Sequence, residues 1–339
     1  MESVSERYGA AAQAVEEALC CPVDYDPKFL KIIPQEVLDR DYGCGDPSRY
    51  VKEGETVLDL GAGGGKICFI ASQIVGPKGK VIGVDMTDEM LELSRASQPG
   101  FAAKVGYDNI DFRHGHIQDL RTDLDALGAW IETHPVTSGL AYKEMLTKRE
   151  ELSAAKPLIA DNSVDVIVSN CVLNLVPDTE KPQLFREMFR VLKPGGRVAV
   201  SDIVSDRDSP EHLKADKDLW SGCISGALTE LGFLEALADA GFHGITYDKL
   251  EQEPWQVVED IEYRSATVLA YKPDVSAAAT KEAAAIYTGP WEQVMDEEGT
   301  VYGRGERIII SGEEAARLRS SAYSGHFIIF GDEESSSCC

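Results

Sequence analysis

A chain of 339 residues exceeds the usual size of one compact domain, so a main domain with smaller additions is expected. Its 43% apolar residues allow a sizeable core, yet no apolar run approaches the roughly 18 residues of a membrane helix, and the polar start Met1-Glu2-Ser3-Val4-Ser5-Glu6 lacks a signal-peptide core. A formal net charge of -25 opposes contact with nucleic-acid phosphates and anionic membranes, so a cytoplasmic protein without either partner is expected.

Composition divides the chain into a polar N-terminal lead (residues 1–40), a region of alternating strand and helix signals (41–205), a helical and mixed region (206–273) and a small C-terminal module (274–331). The last eight residues, 332–339, are acidic and serine-rich and cannot support a packed core, so a disordered tail is expected. Thr56-Val57-Leu58-Asp59-Leu60 reads as a buried strand, and Lys66 to Val75 carries helix-spaced apolar residues before the turn Gly76-Pro77-Lys78-Gly79. Val81-Ile82-Gly83-Val84-Asp85 is the next strand. Residues 121–160 lack strand signals, contain a plausible helix from Tyr142 to Ala155, and read as an insertion. Asp165 to Ser169 and Arg197 to Ser201 are further strands, separated by a helix from Gln183 to Leu192 and the turn Lys193-Pro194-Gly195-Gly196. Strands alternating with helices imply α/β architecture with a doubly wound, mostly parallel sheet whose ligands bind beyond the carboxyl ends of the strands.

Asp59-Leu60-Gly61-Ala62-Gly63-Gly64-Gly65 follows a strand and opens a helix, where glycines permit a sharp turn and close approach of a ligand to the backbone. A dinucleotide fingerprint wants glycine at the sixth position of G-x-G-x-x-G, and Lys66 stands there instead. Asp85, ending the next strand, can accept both ribose hydroxyl protons, a feature that nicotinamide and S-adenosylmethionine (SAM) sites share. The ordered set Val57 to Gly63, Val84-Asp85-Met86 and Val191-Leu192-Lys193-Pro194-Gly195-Gly196 resembles the class I, Rossmann-like SAM-dependent methyltransferases. That resemblance implies SAM as cofactor. It sets Asp59, Gly61, Gly63 and Gly65 beside the methionine part, Asp85 and Met86 at the ribose, His116-Ile117 against the adenine, and Asn170 among the cofactor contacts.

Eight cysteines sit at 20, 21, 44, 68, 171, 223, 338 and 339, and in a reducing compartment they are expected as thiols that bind something soft or react. Cys68 falls on the apolar face of the helix after the glycine loop and is expected in the core. Cys44 in Tyr42-Gly43-Cys44-Gly45, Cys171 just past a strand, and Cys223 in Trp220-Ser221-Gly222-Cys223 have small or exposed neighbours. Several thiols without matching histidines or C-x₂-C pairs favour a soft, thiophilic centre over structural zinc.

The segments around these three cysteines resemble those of the arsenite methyltransferases, as do Ile286-Tyr287-Thr288-Gly289-Pro290-Trp291 and Arg304-Gly305-Glu306-Arg307 near the end. The resemblance implies Cys171 and Cys223 as As(III) ligands, Cys44 as a third catalytic thiol, and Cys20 or Cys21 as a further one, with region 206–273 completing the arsenic site. It also implies thiol-bound arsenic as substrate and a small thiol or thioredoxin-type reductant as partner. Two departures stand out: the long 121–160 insertion, and Ile310-Ser311-Gly312 where relatives often carry another cysteine. Two other functions fit the motifs, a SAM-dependent methyltransferase of a small organic acceptor and a non-catalytic SAM-binding thiol or metalloid sensor.

Overall fold

The computed structural model describes residues 2–13, 23–40, 42–274 and 282–331. Helices α1 (Glu2–Gln13), α2 (Pro27–Leu30) and α3 (Gln35–Asp39) precede β1 (Thr56–Leu60), α4 (Lys66–Val75), β2 (Lys80–Asp85), α5 (Asp88–Val105) and β3 (Ile110–His114). Helices α6 (Leu124–Thr133) and α7 (Gly139–Ala155) then lead to β4 (Val164–Asn170), α8 (Lys181–Val191) and β5 (Leu192–Ser205). After α9 (Glu211–Lys214) and α10 (Lys217–Ser221) come β6 (Leu228–Thr229), α11 (Glu230–Asp239), β7 (His243–Leu250), β8 (Gln256–Val258) and β9 (Ile261–Tyr271).

These strands form one nine-stranded sheet along the path β3-β2-β1-β4-β5-β9-β7, with β6 on β5 and β8 on β9. The first five are mutually parallel, whereas β9 runs antiparallel to β5 and to β7. The doubly wound, mostly parallel sheet is therefore present, and the chain reverses direction of winding between β1 and β4. Central strands buried on both faces need continuous apolar runs, and β1 supplies four fully buried positions in a row. Helix α8 presents Leu184, Phe185, Met188 and Val191 to the core, a spacing that lines one helical face.

Three boundaries differ from the sequence expectation. Strands β7 and β9, from the region expected to be separate after residue 205, extend the same sheet, because β9 pairs with β5 from Arg197↔Tyr271 to Ser205↔Tyr263. The turn at 193–196 lies inside β5 as an irregularity, where the register with β4 jumps from Val164↔Leu192 to Val166↔Arg197. The insertion holds two helices, not one; α6 buries only Leu127, and α7 buries no residue. So little burial explains why apolar periodicity exposes α6 poorly. No described helix is long and apolar enough to cross a membrane.

At the C-terminus β10 (Ala283–Tyr287), β11 (Gln293–Met295), β12 (Val301–Gly303), β13 (Arg307–Ile310), α12 (Gly312–Leu318) and β14 (Phe327–Phe330) make two small antiparallel sheets. Ala285, Tyr287, Tyr302, Ile310 and Leu318 form their own small core. The expected disordered tail at 332–339 lies outside the described residues.

Candidate functional site

A cleft opens over the carboxyl ends of β1, β2 and β4, lined by Gly61 to Gly64, Asp85, Met86, Ile117, Gln118, Asn170 and Cys171. The glycine loop turns sharply: Gly61 and Gly63 have φ of 71° and 50°. At Gly61 a Cβ would lie 2.4 Å from Val172, whereas at Gly63 it would meet only the Met90 sulfur at 3.9 Å, so Gly63 leaves room for a ligand against the backbone. The Gly63 amide donates to Asp85 Oδ2 at 2.8 Å and the Thr87 amide to Oδ1 at 2.9 Å. Each Asp85 oxygen keeps a further lone pair for a hydroxyl. Burial raises the Asp85 pKa, while these backbone amides pull it down.

Asp59 lines the same cleft and accepts from Cys68 Sγ at 3.2 Å. Cys68 is fully buried, and burial pushes its thiol pKa well up, as a core residue requires. Lys66, which occupies the sixth fingerprint position, sets its ammonium 3.8 Å over the Tyr25 ring. Gln118 lines the cleft with its buried Oε1 unpaired among the described residues, and buried His116 Nδ1 is unpaired likewise. Burial lowers the His116 pKa, which favours the neutral imidazole. Ile117 lines the cleft, but His116 and Gly65 do not.

Cys44, Cys171 and Cys223 converge beside this cleft in one buried cluster with Val4, Leu175, Ile203 and Tyr263. They arrive from three distant segments, and all three are almost fully buried. The expectation that all stand as thiols is corrected here: Cys44 and Cys171 are joined in a disulfide with their Cα atoms 5.9 Å apart, a normal bridging separation. Cys223 Sγ donates to the Cys171 carbonyl at 2.9 Å. Both Cys171 (φ 56°) and Cys223 (φ 61°) adopt the left-handed backbone conformation. Cys20, Cys21, Cys338 and Cys339 lie outside the described residues.

Side chains beyond the thiols hold these loops. Asn170 Oδ1 accepts from the Cys44 and Gly45 amides at 2.9 and 3.1 Å, and its Nδ2 donates to the Gly45 carbonyl at 2.7 Å and the Tyr25 hydroxyl at 3.2 Å. Its amide is thereby fully committed within the chain, so Asn170 borders the cleft but spends its polar groups on the Cys44 loop. Asn174 Nδ2 bridges the carbonyls of Ile203 and Cys223 at 2.7 and 3.1 Å. Asp202, fully buried, accepts from the Leu173 and Ile203 amides at 2.9 and 2.8 Å, and burial pushes its pKa up to about 6.

The N-terminal lead contributes a wall that its polar composition conceals. Val4 and Tyr8 of α1 line the cleft, and the Tyr8 hydroxyl lies 3.7 Å from Cys223 Sγ. Arg7 donates to the Asp218 carbonyl and the Ser221 hydroxyl at 3.1 and 2.9 Å. Burial, reinforced by Cys223, raises the Tyr8 pKa well above its usual value. Sequence reasoning missed Tyr8, Gln118, Asn174 and Asp202. Only Asp202 carried a readable signal, a carboxylate near the end of a buried strand.

The methyltransferase-domain family matches residues 51–128 and 147–256, and a domain of unknown function (DUF8838) matches 274–337. An arsenite methyltransferase of Aquipseudomonas alcaligenes is 33% identical over 98% of this chain and 91% of its own. The human arsenite methyltransferase is 31% identical over 88% of this chain and 73% of its own. Among solved structures, CrArsM, an arsenic(III) S-adenosylmethionine methyltransferase from Chlamydomonas reinhardtii, superposes with a TM-score of 0.60 at 27% identity, covering 93% of this chain and 98% of that one. The chain belongs to the arsenite methyltransferase family within the class I SAM-dependent methyltransferases.

Proposed function

We propose that this chain transfers methyl groups from S-adenosylmethionine to trivalent arsenic bound by its own thiolates. The observation that carries the reading is the convergence of Cys44, Cys171 and Cys223 beside a cleft bordered by the glycine loop and Asp85. When bound, SAM supplies an electrophilic methyl on a sulfonium. The open space over Gly63, the two spare lone pairs of Asp85 and the unpaired Gln118 oxygen fit a nucleoside that carries hydroxyl and amino groups. Asp85 and Met86 hold the ribose and Ile117 lies against the base, while His116, kept neutral by burial, stands outside the cleft lining.

Once the bridge between Cys44 and Cys171 is reduced, Cys171 and Cys223 bind As(III) as thiolates and Cys44 joins them as the third. Thiolate-bound arsenic retains a lone pair that attacks the methyl directly, so no general base is needed and the protein's work is alignment. Asn170, Asn174 and Asp202 fix the loops, and the Tyr8 hydroxyl faces the Cys223 sulfur as a donor to its thiolate. Cys223 presents its own proton to the Cys171 carbonyl and loses it on binding, so arsenic affinity falls at low pH. We assign residues 41–273 to one catalytic unit, in which the cofactor side comes from β1 through β4 and the arsenic side from Cys44, Cys171 and Cys223, and 274–331 to a C-terminal module. A thiol reductant and a cytoplasmic setting complete the reading.

The test incubates the reduced protein with SAM and As(III) and measures methylated arsenicals by mass spectrometry. Methylated product is expected, and its loss in Cys171→Ser or Cys223→Ser. Binding of both ligands without product would make the protein a sensor.

A further inference from the structure

Helix α1 packs on α5 at one end and on α10 at the other. At the α5 end Ala11 and Ala12 cluster with Met90, and a Cβ at Gly9 would come within 3.0 Å of the Glu89 carboxylate, so only small residues allow the two helices to meet there. The Tyr42 hydroxyl ties this end by donating to the Ala11 carbonyl at 3.0 Å. At the other end Val4 joins the cysteine cluster and the Tyr8 hydroxyl meets Cys223 Sγ. Arg7 Nη1 donates there to the Asp218 carbonyl at 3.1 Å and to the Ser221 hydroxyl at 2.9 Å, both in α10.

These two anchor points stand at opposite sides of the cleft. Glu89 and Met90 lie in the first turn of α5, just past the end of β2, whereas α10 leads into Cys223, which Asn174 ties to Ile203 of β5. In the order β2-β1-β4-β5 the outer two strands are three spacings apart, about 14 Å. The 12 residues of α1 measure about 18 Å along a helix axis, enough to cross the strand ends from one side to the other. Val4 and Tyr8 accordingly line the same cleft as Gly61 to Gly64 and Asp85. The two ends are held by different means: close packing of small residues at α5, and at α10 a polar hold whose Asp218 bond is exposed, where water competes for it.

We propose that α1 is a strap over the cleft, latched to the arsenic side by Arg7, and that its N-terminal half lifts to let the nucleoside in and out. The inference rests on the reading that this cleft holds the cofactor. Each methyl transfer leaves S-adenosylhomocysteine beneath the strap, and the next SAM enters only after the strap has lifted. Arg7 touches no reacting atom; it is a positioning residue that keeps Tyr8 at Cys223 and the cleft covered. Lifting uncovers Val4 and Tyr8, which favours the closed state in the free protein and in the complex alike. A looser latch therefore populates the lifted state equally with and without ligand. Entry and exit both pass through that state, so both speed up together and the affinity stays the same.

The experiment measures association and dissociation of S-adenosylhomocysteine in the full chain without arsenic, by stopped-flow fluorescence and by chase of the radiolabelled compound. Calorimetry supplies the equilibrium affinity independently. Arg7→Ala should raise both rate constants by at least about fivefold, the worth of a hydrogen bond from a charged donor, and move the affinity by less than about twofold. Ser221→Ala, which removes one acceptor of the latch from the other side, should raise both by a smaller factor, and it reports on the latch by itself should Arg7→Ala fail to fold. The two changes together should do no more than Arg7→Ala alone, because they break the same contact. Glu6→Gln, on an exposed position of the same helix, should leave both rates as they are. Faster exit with unchanged entry would make α1 a wall that merely touches the ligand, and would overturn the proposal. Unchanged rates, fully additive effects of the two latch changes, or an equal effect of Glu6→Gln would overturn it as well. Failure of S-adenosylhomocysteine to bind the native chain would instead count against the reading of the cleft.

Discussion

The two sides of the cleft are built by opposite means. The glycine-loop side comes from one stretch, β1 through β2, and offers backbone amides and the two carboxylates Asp59 and Asp85. The thiol side is assembled from residues 44, 171 and 223, and it needs Asn170, Asn174, Asp202 and α1 to hold its loops. A local site is fixed once its supersecondary unit forms; a composite site depends on packing across the whole fold. Damage to the first should therefore stay confined, whereas damage to the second should spread.

The largest expected effect is that of Cys223→Ser. It should reduce arsenic methylation by on the order of 100-fold or more, since even small misplacement of a reacting group costs about that much. Calorimetry should find SAM binding unchanged, and a parallel loss of SAM affinity would erase the division between the two sides. Asp85→Asn should act the other way, weakening SAM by roughly 10- to 100-fold, the worth of hydrogen bonds to a charged acceptor. Its As(III) affinity, followed by thiol absorbance, should not move.

Asp202 sharpens the comparison through pH. Its pKa rises from the usual 3.8 to about 6 on burial, so the folded state binds this proton more tightly than the unfolded state does. The resulting contribution to stability is fully present below about pH 4 and is lost as pH climbs through 6, on the order of 3 kcal/mol in all. Denaturation midpoints between pH 4 and 7 should carry this downward component in the native chain, and Asp202→Asn should remove it. An unchanged pH slope in the variant would dismiss Asp202 as its source. The smallest effect is expected for Tyr8→Phe, which keeps the packing and removes one donor. The pH at which As(III) binding is half-lost should move upward, with a few-fold loss at neutral pH that shrinks as pH rises, and a pH-independent loss would reduce Tyr8 to packing alone.

Legibility followed the same division. The glycine loop, Asp85 and the strand order around them were readable because short-range pattern dictates a turn between a buried strand and a helix. The three cysteines were singled out by their neighbours and by resemblance, but their joining could not be read, since the bridge spans 127 positions of chain. Asn170 was expected to face the cofactor, and only the folded arrangement reveals its amide spent on residues 44 and 45. The lead at 1–40 looked like a polar preface because the buried residues of α1 are small or scattered, Val4, Gly9, Ala11 and Ala12 among polar neighbours; the Tyr8 hydroxyl meets Cys223, 215 positions away. The break expected at residue 205 failed for a related reason, as antiparallel strands arriving late in the chain can join a sheet without advance notice.

The left-handed backbone at Cys171 and Cys223 carries a consequence for how this site can evolve. A side chain in that conformation costs about 1 kcal/mol that glycine would not incur. Glycine at either position would thus relax the backbone and forfeit the sulfur in one step. A screen that rewards thermal resistance alone would drift toward glycine at 171 and 223, while one that rewards survival on arsenite would hold both cysteines. These two positions are where folding and chemistry ask for different residues.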